Sequence, residues 1–182
     1  MKRVLITGAA GEIGTRLRVL LKPVYQELVA SDVRRPADLR ADETFAQVDL
    51  TDAAAVDELA GHGLIAMLEP FLSSRVDGAV RNDLAPDAVI KSIHISQGLG
   101  STSAYTWMKL PVVDEMERVM EATTLPTLLL GGDPADPAEA FAGWEKALGL
   151  PSVRGLIIGR TVLYPADGDV GSAVARAVSM VR

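Results

Sequence analysis

The sequence of 182 residues contains no cysteine, which excludes disulfides, thiolate metal sites and thiol nucleophiles. Histidine is almost as scarce. His62 and His94 are the only two, too few for histidine-based zinc chemistry or for a mechanism needing several imidazoles. Two tryptophans, three tyrosines and three phenylalanines are scattered along the chain and offer no stacking platform. Acidic residues (24) outnumber basic ones (18), giving a net charge of −6, so no nucleic-acid partner is expected. Both parts share the imbalance: residues 1–60 hold 8 basic and 10 acidic side chains, and residues 61–182 hold 10 and 14. No apolar run approaches the roughly 18 residues that cross a bilayer. Met1-Lys2-Arg3 leads into a short apolar run ending at Gly8, unlike a secretory signal. These absences imply a cytoplasmic protein with no membrane partner. What remains is 48% hydrophobic and 23% charged, the composition of a folded globular chain.

Strand-length apolar runs alternate with helix-period segments. Val4–Ile6, Leu28–Ala30, Phe45–Leu50, Leu64–Leu68, Tyr105–Leu110, Thr127–Leu130 and Leu156–Ile158 read as strands buried on both faces. Ile13, Leu17, Leu20 and Leu21 fall on one helical stripe. Phe141, Trp144 and Leu148 form a second, and Val170, Val174, Ala177, Val178 and Val181 a third. Asp136-Pro137-Ala138-Glu139 has the pattern of a helix start, with an N-cap carboxylate and proline at the first helical position. Such alternation predicts an α/β fold of parallel β/α units. Residues 33–43 and 72–85 are polar and are expected to be loops.

Thr7-Gly8-Ala9-Ala10-Gly11-Glu12-Ile13-Gly14 follows the first strand and opens a helix. That is the setting of a phosphate-cradling glycine loop: Gly8 for a tight turn, Gly11 for close approach of a pyrophosphate, Gly14 for packing of helix on sheet. The helix N-terminus adds unpaired N–H groups. Asp32 ends the second strand 18 residues after Gly14, where a carboxylate can accept hydrogen bonds from a ribose. The plain alternative is that these glycines only form turns and that Asp32 caps a strand.

In the rest of the chain the polar residues gather at the carboxyl ends of strands. Glu69 follows Leu64–Leu68, Lys109 lies late in Tyr105–Leu110, Gly131-Gly132-Asp133 follows Thr127–Leu130, and Gly159-Arg160 follows Leu156–Ile158. In (β/α)8 barrels this is the active face, with phosphate bound by glycine loops after the last two strands. Arginine adds a fork of donors there. Lys109 sits among apolar neighbours, and desolvation would make it an amine nucleophile able to form a Schiff base. Alternatively its stem packs along the sheet while its ammonium reaches solvent or pairs with Glu69.

Residues 1–60 resemble the start of an extended short-chain dehydrogenase/reductase, of the sugar epimerase and uronate dehydrogenase type, through the TGxxGxxG run Thr7–Gly14. The resemblance implies NAD as cofactor, with Gly8, Gly11, Ile13 and Gly14 at the pyrophosphate. It assigns Asp32 to the ribose and Asp49 to the adenine amino group. Arg34 and Arg35 keep NADP open. Residues 63–182 resemble the second half of a class I aldolase-type (β/α)8 barrel of the deoxyribose-phosphate and fructose-bisphosphate aldolase group. The landmarks are Leu68-Glu69-Pro70, Ser103–Pro111, Leu129–Asp133 and Gly159-Arg160-Thr161. This resemblance places Lys109 at the group's Schiff-base lysine on strand six; the strand-end reading makes Glu69 either an acid–base or lysine-pairing carboxylate or a plain strand-end cap, and gives phosphate binding to Gly131, Gly132, Gly159 and Arg160. The fold expected is a Rossmann-like segment, 1–61, continued by a (β/α)4 half-barrel, 62–182. The join falls in the helix Ala53–Gly61, and the chain reads as a recombinant of the two parents.

Tyr105 and Lys109 also share the Tyr-x-x-x-Lys spacing of dehydrogenases, but that chemistry needs a helix, and this segment reads as a strand. His94 reads as a helix-surface or packing residue and His62 as a helix C-terminal cap. Glu115, Glu117 and Glu121 read as a solvated helix face, and no metal site is expected. Three functions follow: a hybrid with an NAD(P)-binding loop and an aldolase-like phosphate and Schiff-base site in sugar or inositol metabolism; an active Schiff-base lyase using Lys109; or a non-catalytic fusion or designed scaffold. The expected partner is a small phosphorylated sugar or keto compound. Open sheet edges suggest a homo-oligomer.

Overall fold

The computed structural model describes residues 3–49, 52–61, 63–132 and 136–181. They form two compact units, residues 1–56 and 57–182, whose boundary falls within the helix Ala53–Gly61. His62, Leu50 and Asp133 lie outside the described residues, as do the side chain of Ile13 and the proposed capping role of His62.

In the first unit, β1 (Arg3–Thr7) leads through the glycine loop into α1 (Glu12–Leu21), followed by β2 (Glu27–Asp32) and β3 (Thr44–Gln47). The three strands form a parallel sheet in the order β1-β2-β3, the order of one Rossmann half. Its small core is Ile6, Ala9, Leu28 and Ala30. The stripe predicted for α1 is corrected here. Leu21 packs on this core as expected, but Leu17 and Leu20 are exposed, and the helix turns Gly14 and Arg18 inward. The cause is local. A Cβ on Gly14 would lie 2.1 Å from the carbonyl oxygen of Gly8, so contact at the absent side chain rotates the next turn, and Arg18 with it, into the interior.

The second unit begins within α2 (Ala53–Gly61) and continues through β4 (Ala66–Leu68). The predicted loop 72–85 is an antiparallel hairpin, β5 (Leu72–Val76) and β6 (Ala79–Asp83). Its two-residue turn is Asp77-Gly78, with φ of 51° and 79°, the Asp-Gly signal of a type I′ turn. The polar, arginine-rich composition concealed it. Then follow α3 (Pro86–Ser96), β7 (Thr106–Leu110), α4 (Met116–Glu121), β8 (Thr127–Leu130), α5 (Pro137–Leu148), β9 (Val153–Ile157), α6 (Arg160–Leu163) and α7 (Val170–Met180).

Strands β4-β7-β8-β9 make a parallel sheet in that order. One face lies under the helices. Leu68, Met108, Leu110 and Leu129 point into a core shared with Val89, Ile93, Val119, Phe141 and Trp144, and the last two rings meet edge to face at 5.0 Å. Asp136 caps α5, accepting a hydrogen bond from the Ala138 amide at 2.7 Å. The stripe expected on α7 is also corrected. Ala173, Ala177 and Met180 pack on the core, while Val170, Val174, Val178 and Val181 are exposed. Alanine allows the close approach to the neighbouring helix α5 and the core that valine would prevent.

The opposite face of the sheet carries Met67, Trp107, Lys109, Leu128 and Leu130, all half-buried. A bulge between β8 and β9 shifts the alternation so that Leu156 and Ile158 join the helix-side core, leaving Ile157 on this open face, 38% exposed.

Candidate functional site

Lys109 and Glu69 meet. Alternation along β7 buries Thr106, Met108 and Leu110 toward the helices, so Lys109 stands on the open face beside Trp107. Its Nζ donates to Glu69 Oε2 at 2.7 Å. The lysine side chain is 24% exposed and the glutamate 42%, so the pair lies at a mouth, with its stem shielded and its charges wetted. Tyr105 precedes the strand, and Tyr105 and Lys109 do not share a helix face.

The two glycine loops also meet. A Cβ on Gly131 would lie 3.2 Å from the Ile158 side chain, and Arg160 Nη2 donates to the Gly132 carbonyl at 3.5 Å, a long hydrogen bond. Both loops, like Glu69, follow the carboxyl ends of parallel strands in one sheet. An open cavity of about 1040 Å³ adjoins them, lined by Gly131, Gly132, Arg160, Asp114 and the hairpin residues Arg81 and Asn82. Lys109 and Glu69 do not line it. In register, Lys109 pairs with Leu128, three residues before Gly131, or about 10 Å along the strand. The hairpin contribution was not legible while residues 72–85 read as a loop.

In the first unit, Gly8 has a φ of +62°, in the region that favours glycine. The loop folds on itself: the Gly11 amide donates to the Gly8 carbonyl at 3.0 Å and the Ala9 amide to Ser31 at 3.1 Å. Asp32 Oδ2 accepts from the Ala10 amide at 2.9 Å, and Oδ1 from the Arg34 amide at 3.1 Å. These bonds, the Ala10 one foremost, hold the Asp32 carboxyl below the usual carboxylate range, so it stays ionised. Gly11, the N-cap of α1, supplies no side-chain acceptor, which leaves the amides of the first helical turn for an anion. Asp49 lies beyond β3 and is exposed, its carbonyl accepting from Asp52 at 3.0 Å. The Arg35 guanidinium lies 5.7 Å from the centre of the Phe45 ring.

Beneath this loop is a cluster that composition and periodicity did not reveal. Arg18, 1% exposed, donates from Nη2 to Glu43 Oε2 at 2.8 Å and from Nη1 to Asp38 Oδ1 at 2.8 Å. Nη1 also reaches the Ala9 carbonyl in the glycine loop at 3.4 Å. Arg40 donates to Glu43 Oε1 and to the Arg18 carbonyl, each at 2.7 Å. Burial alone would push the Glu43 carboxyl up, but the bonds from Arg18 and Arg40 outweigh it and hold the carboxyl down. The polar segment 33–43 is thereby tied to α1 and to the loop that α1 follows.

Among the described residues no group of three His, Cys, Asp or Glu could hold a metal ion. Glu117 pairs with Lys146 at 3.0 Å and Glu115 with Arg118 at 3.3 Å, and His94 is exposed on α3. No helix among the described residues is long and apolar enough to cross a membrane.

The family model described as Cgl0159-like matches residues 15–178. The chain belongs to the Cgl0159-like family. The crystal structure of Cgl0159 from Corynebacterium glutamicum is 47% identical, with a TM-score of 0.69, over 91% of this chain and 54% of that one. This Cgl0159-like chain thus spans about half the length of that relative. An archaeal fructose-1,6-bisphosphate aldolase, whose catalytic lysine is covalently bound to a carbinolamine intermediate, is 16% identical. It matches with a TM-score of 0.54 over 91% of this chain and 61% of that one; at this identity the likeness is one of fold. That fold is α/β, built of parallel sheets that form part of an aldolase-like barrel. An uncharacterized epimerase/dehydratase of Staphylococcus saprophyticus is 41% identical over 63 residues, 32% of this chain and 20% of that protein.

Proposed function

We propose that the second unit is an aldolase-type Schiff-base site for a small phosphorylated sugar or keto compound of sugar or inositol metabolism. The observation that carries it is the 2.7 Å contact of Lys109 with Glu69 at the strand ends that also lead into Gly131-Gly132 and Gly159-Arg160. Glu69 accepts the proton that Lys109 must lose. The free amine then adds to the substrate carbonyl to give a carbinolamine, which loses water to give an iminium ion. The iminium accepts the electron pair released when the adjacent carbon–carbon bond breaks. Loop amides and the Arg160 guanidinium bind the phosphate. Borohydride reduces such an iminium to a stable secondary amine. With triose or pentose phosphates, mass spectrometry is expected to find an adduct on Lys109 in the wild type and none in Lys109→Met. An adduct of equal yield on both proteins overturns the assignment.

A second reading rests on the first unit. Its glycine loop, the close Gly14–Gly8 approach and the ionised Asp32 fit a dinucleotide, with pyrophosphate at the α1 amides and ribose at Asp32. The cofactor would supply hydride transfer. Asp32 favours NAD over NADP, because its charge opposes a 2′-phosphate, and Arg35 is drawn over Phe45. On this reading the chain joins a dehydrogenase-like segment to an aldolase-like one.

A further inference from the structure

We infer that Arg18 is the positioning residue through which the first unit selects NAD over NADP. It acts within residues 1–56 alone, and its role rests on the dinucleotide reading of that unit. Its reach begins at one peptide group. The Ala9 carbonyl and the Ala10 N–H belong to the same trans peptide and point in opposite directions. The carbonyl accepts from Arg18 Nη1 at 3.4 Å, and the N–H donates to Asp32 Oδ2 at 2.9 Å. The peptide is thus held at both ends, by a buried cation on one side and by the candidate ribose carboxylate on the other. The contact to Arg18 is long, but the guanidinium is fixed beside it. Nη1 donates to Asp38 Oδ1 at 2.8 Å, and Nη2 to Glu43 Oε2 and to the Asp38 carbonyl at 2.8 and 2.9 Å.

The same guanidinium governs the other side of Asp32. By binding both the side chain and the carbonyl of Asp38, it ties down segment 33–43, whose start brings the Arg34 amide to Asp32 Oδ1 at 3.1 Å. Each carboxylate oxygen therefore already accepts one amide and keeps a lone pair for a ribose hydroxyl. A carboxylate held in this way is oriented before a ligand arrives, which spares the entropy of ordering it on binding. It also discriminates. Two ribose hydroxyls can donate to it, whereas a 2′-phosphate presents acceptor oxygens and negative charge to a group that cannot turn aside. Arg18 itself touches no ligand; it acts through the Ala9–Ala10 peptide and through segment 33–43.

Fluorescence titration of the full chain with NADH and with NADPH, on the wild type, Arg18→Lys and Asp38→Ala, tests this. Lysine keeps the charge but, with one nitrogen, cannot meet Glu43, Asp38 and the Ala9 carbonyl together. Arg18→Lys should raise the NADH dissociation constant at least about tenfold and the NADPH constant less, so that their ratio moves toward one. Asp38→Ala alters a side chain that is 55% exposed and leaves the Arg18–Glu43 pair. It should move the ratio the same way by less, and it carries the test if Arg18→Lys does not fold. In the Asp32→Ala background, Arg18→Lys should leave the ratio where Asp32→Ala already puts it, because the arginine acts through Asp32. Amide exchange without nucleotide gives an independent readout. Ala10 should lose protection in Arg18→Lys, while Ala9, bonded to the Ser31 carbonyl at 3.1 Å, keeps it. An unchanged ratio, equal weakening of both nucleotides, or exchange rising alike at Ala9 and Ala10 would each show a purely structural arginine and overturn the inference. A wild type that binds neither nucleotide overturns the dinucleotide reading, and the role of Arg18 with it.

Discussion

Arg18 lies almost wholly out of solvent on a helix that leaves Leu17 and Leu20 exposed, and its partners explain why this is tolerated. A buried guanidinium is costly unless several acceptors meet it. Glu43, Asp38 and the Ala9 carbonyl do so here. Glu43→Ala leaves that charge with the more exposed Asp38 alone and should destabilise the chain by about 3 kcal/mol, read from urea unfolding at neutral pH. The pH dependence has a definite sign. The carboxyls of Glu43, Asp32 and Asp38 are all held below their ordinary ranges, so the unfolded chain binds more protons in acid. Their contribution is present above the ordinary carboxylate range and is lost as pH falls through the lowered folded values. The acid limb of the stability curve should therefore be shallower in Glu43→Ala than in the wild type; identical limbs would show that the cluster does not titrate with folding.

Among the elements, the strands of the parallel sheets were legible as apolar runs, and α5 through both its stripe and its start, whereas the inward faces of α1 and α7 and the hairpin were not. The α5 start was readable because Asp136 and Pro137 each answer a physical need, an acceptor for a free amide and a residue with no amide to leave free. Asp136→Ala should cost about 1 kcal/mol, measured as a lowered unfolding midpoint; no change would mean that solvent satisfies the Ala138 amide equally well. Val170, Val174 and Val178 of α7 and Leu17 and Leu20 of α1 misled because periodicity reports an apolar stripe and not what covers it, while Ala177 and Leu21 of the same stripes do pack on the cores. At both helices a smaller residue decides the inward face: Gly14 in α1, and Ala173 and Ala177 in α7. The hairpin β5–β6 was hidden for the opposite reason. Its strand residues are almost all exposed, so the pleat buries nothing and leaves no alternation to read, although Asp77-Gly78 carried the turn.

Across the whole chain, the two units have separate cores, so the two proposed sites should respond to mutation separately. Gly11→Val puts a branched side chain where even a Cβ would lie 3.2 Å from the Gly8 carbonyl. It should abolish NADH binding in a fluorescence titration while leaving the borohydride adduct on Lys109 in place. Lys109→Met should do the reverse. Loss of both signals in either variant would show that the units act as one. Asp32→Ala should weaken NADH more than NADPH, since it removes a ribose acceptor and also a charge opposed to the 2′-phosphate.

Taken alone, the sequence determined the α/β alternation, the glycine loop, the start of α5 and the set of polar residues at strand ends. Each of these is local: a strand, a turn and a cap are specified by neighbours within a few residues, so their chemistry is written in order along the chain. Only the tertiary structure decided that Glu69 reaches Lys109 across 40 residues, and that Glu43 and Asp38 neutralise Arg18. It also decided that the hairpin lines the cavity beside Gly131 and Gly132, and which side of each helix faces the core. Those outcomes depend on distances between segments remote in sequence and on how closely small residues let them approach, and no periodicity encodes either.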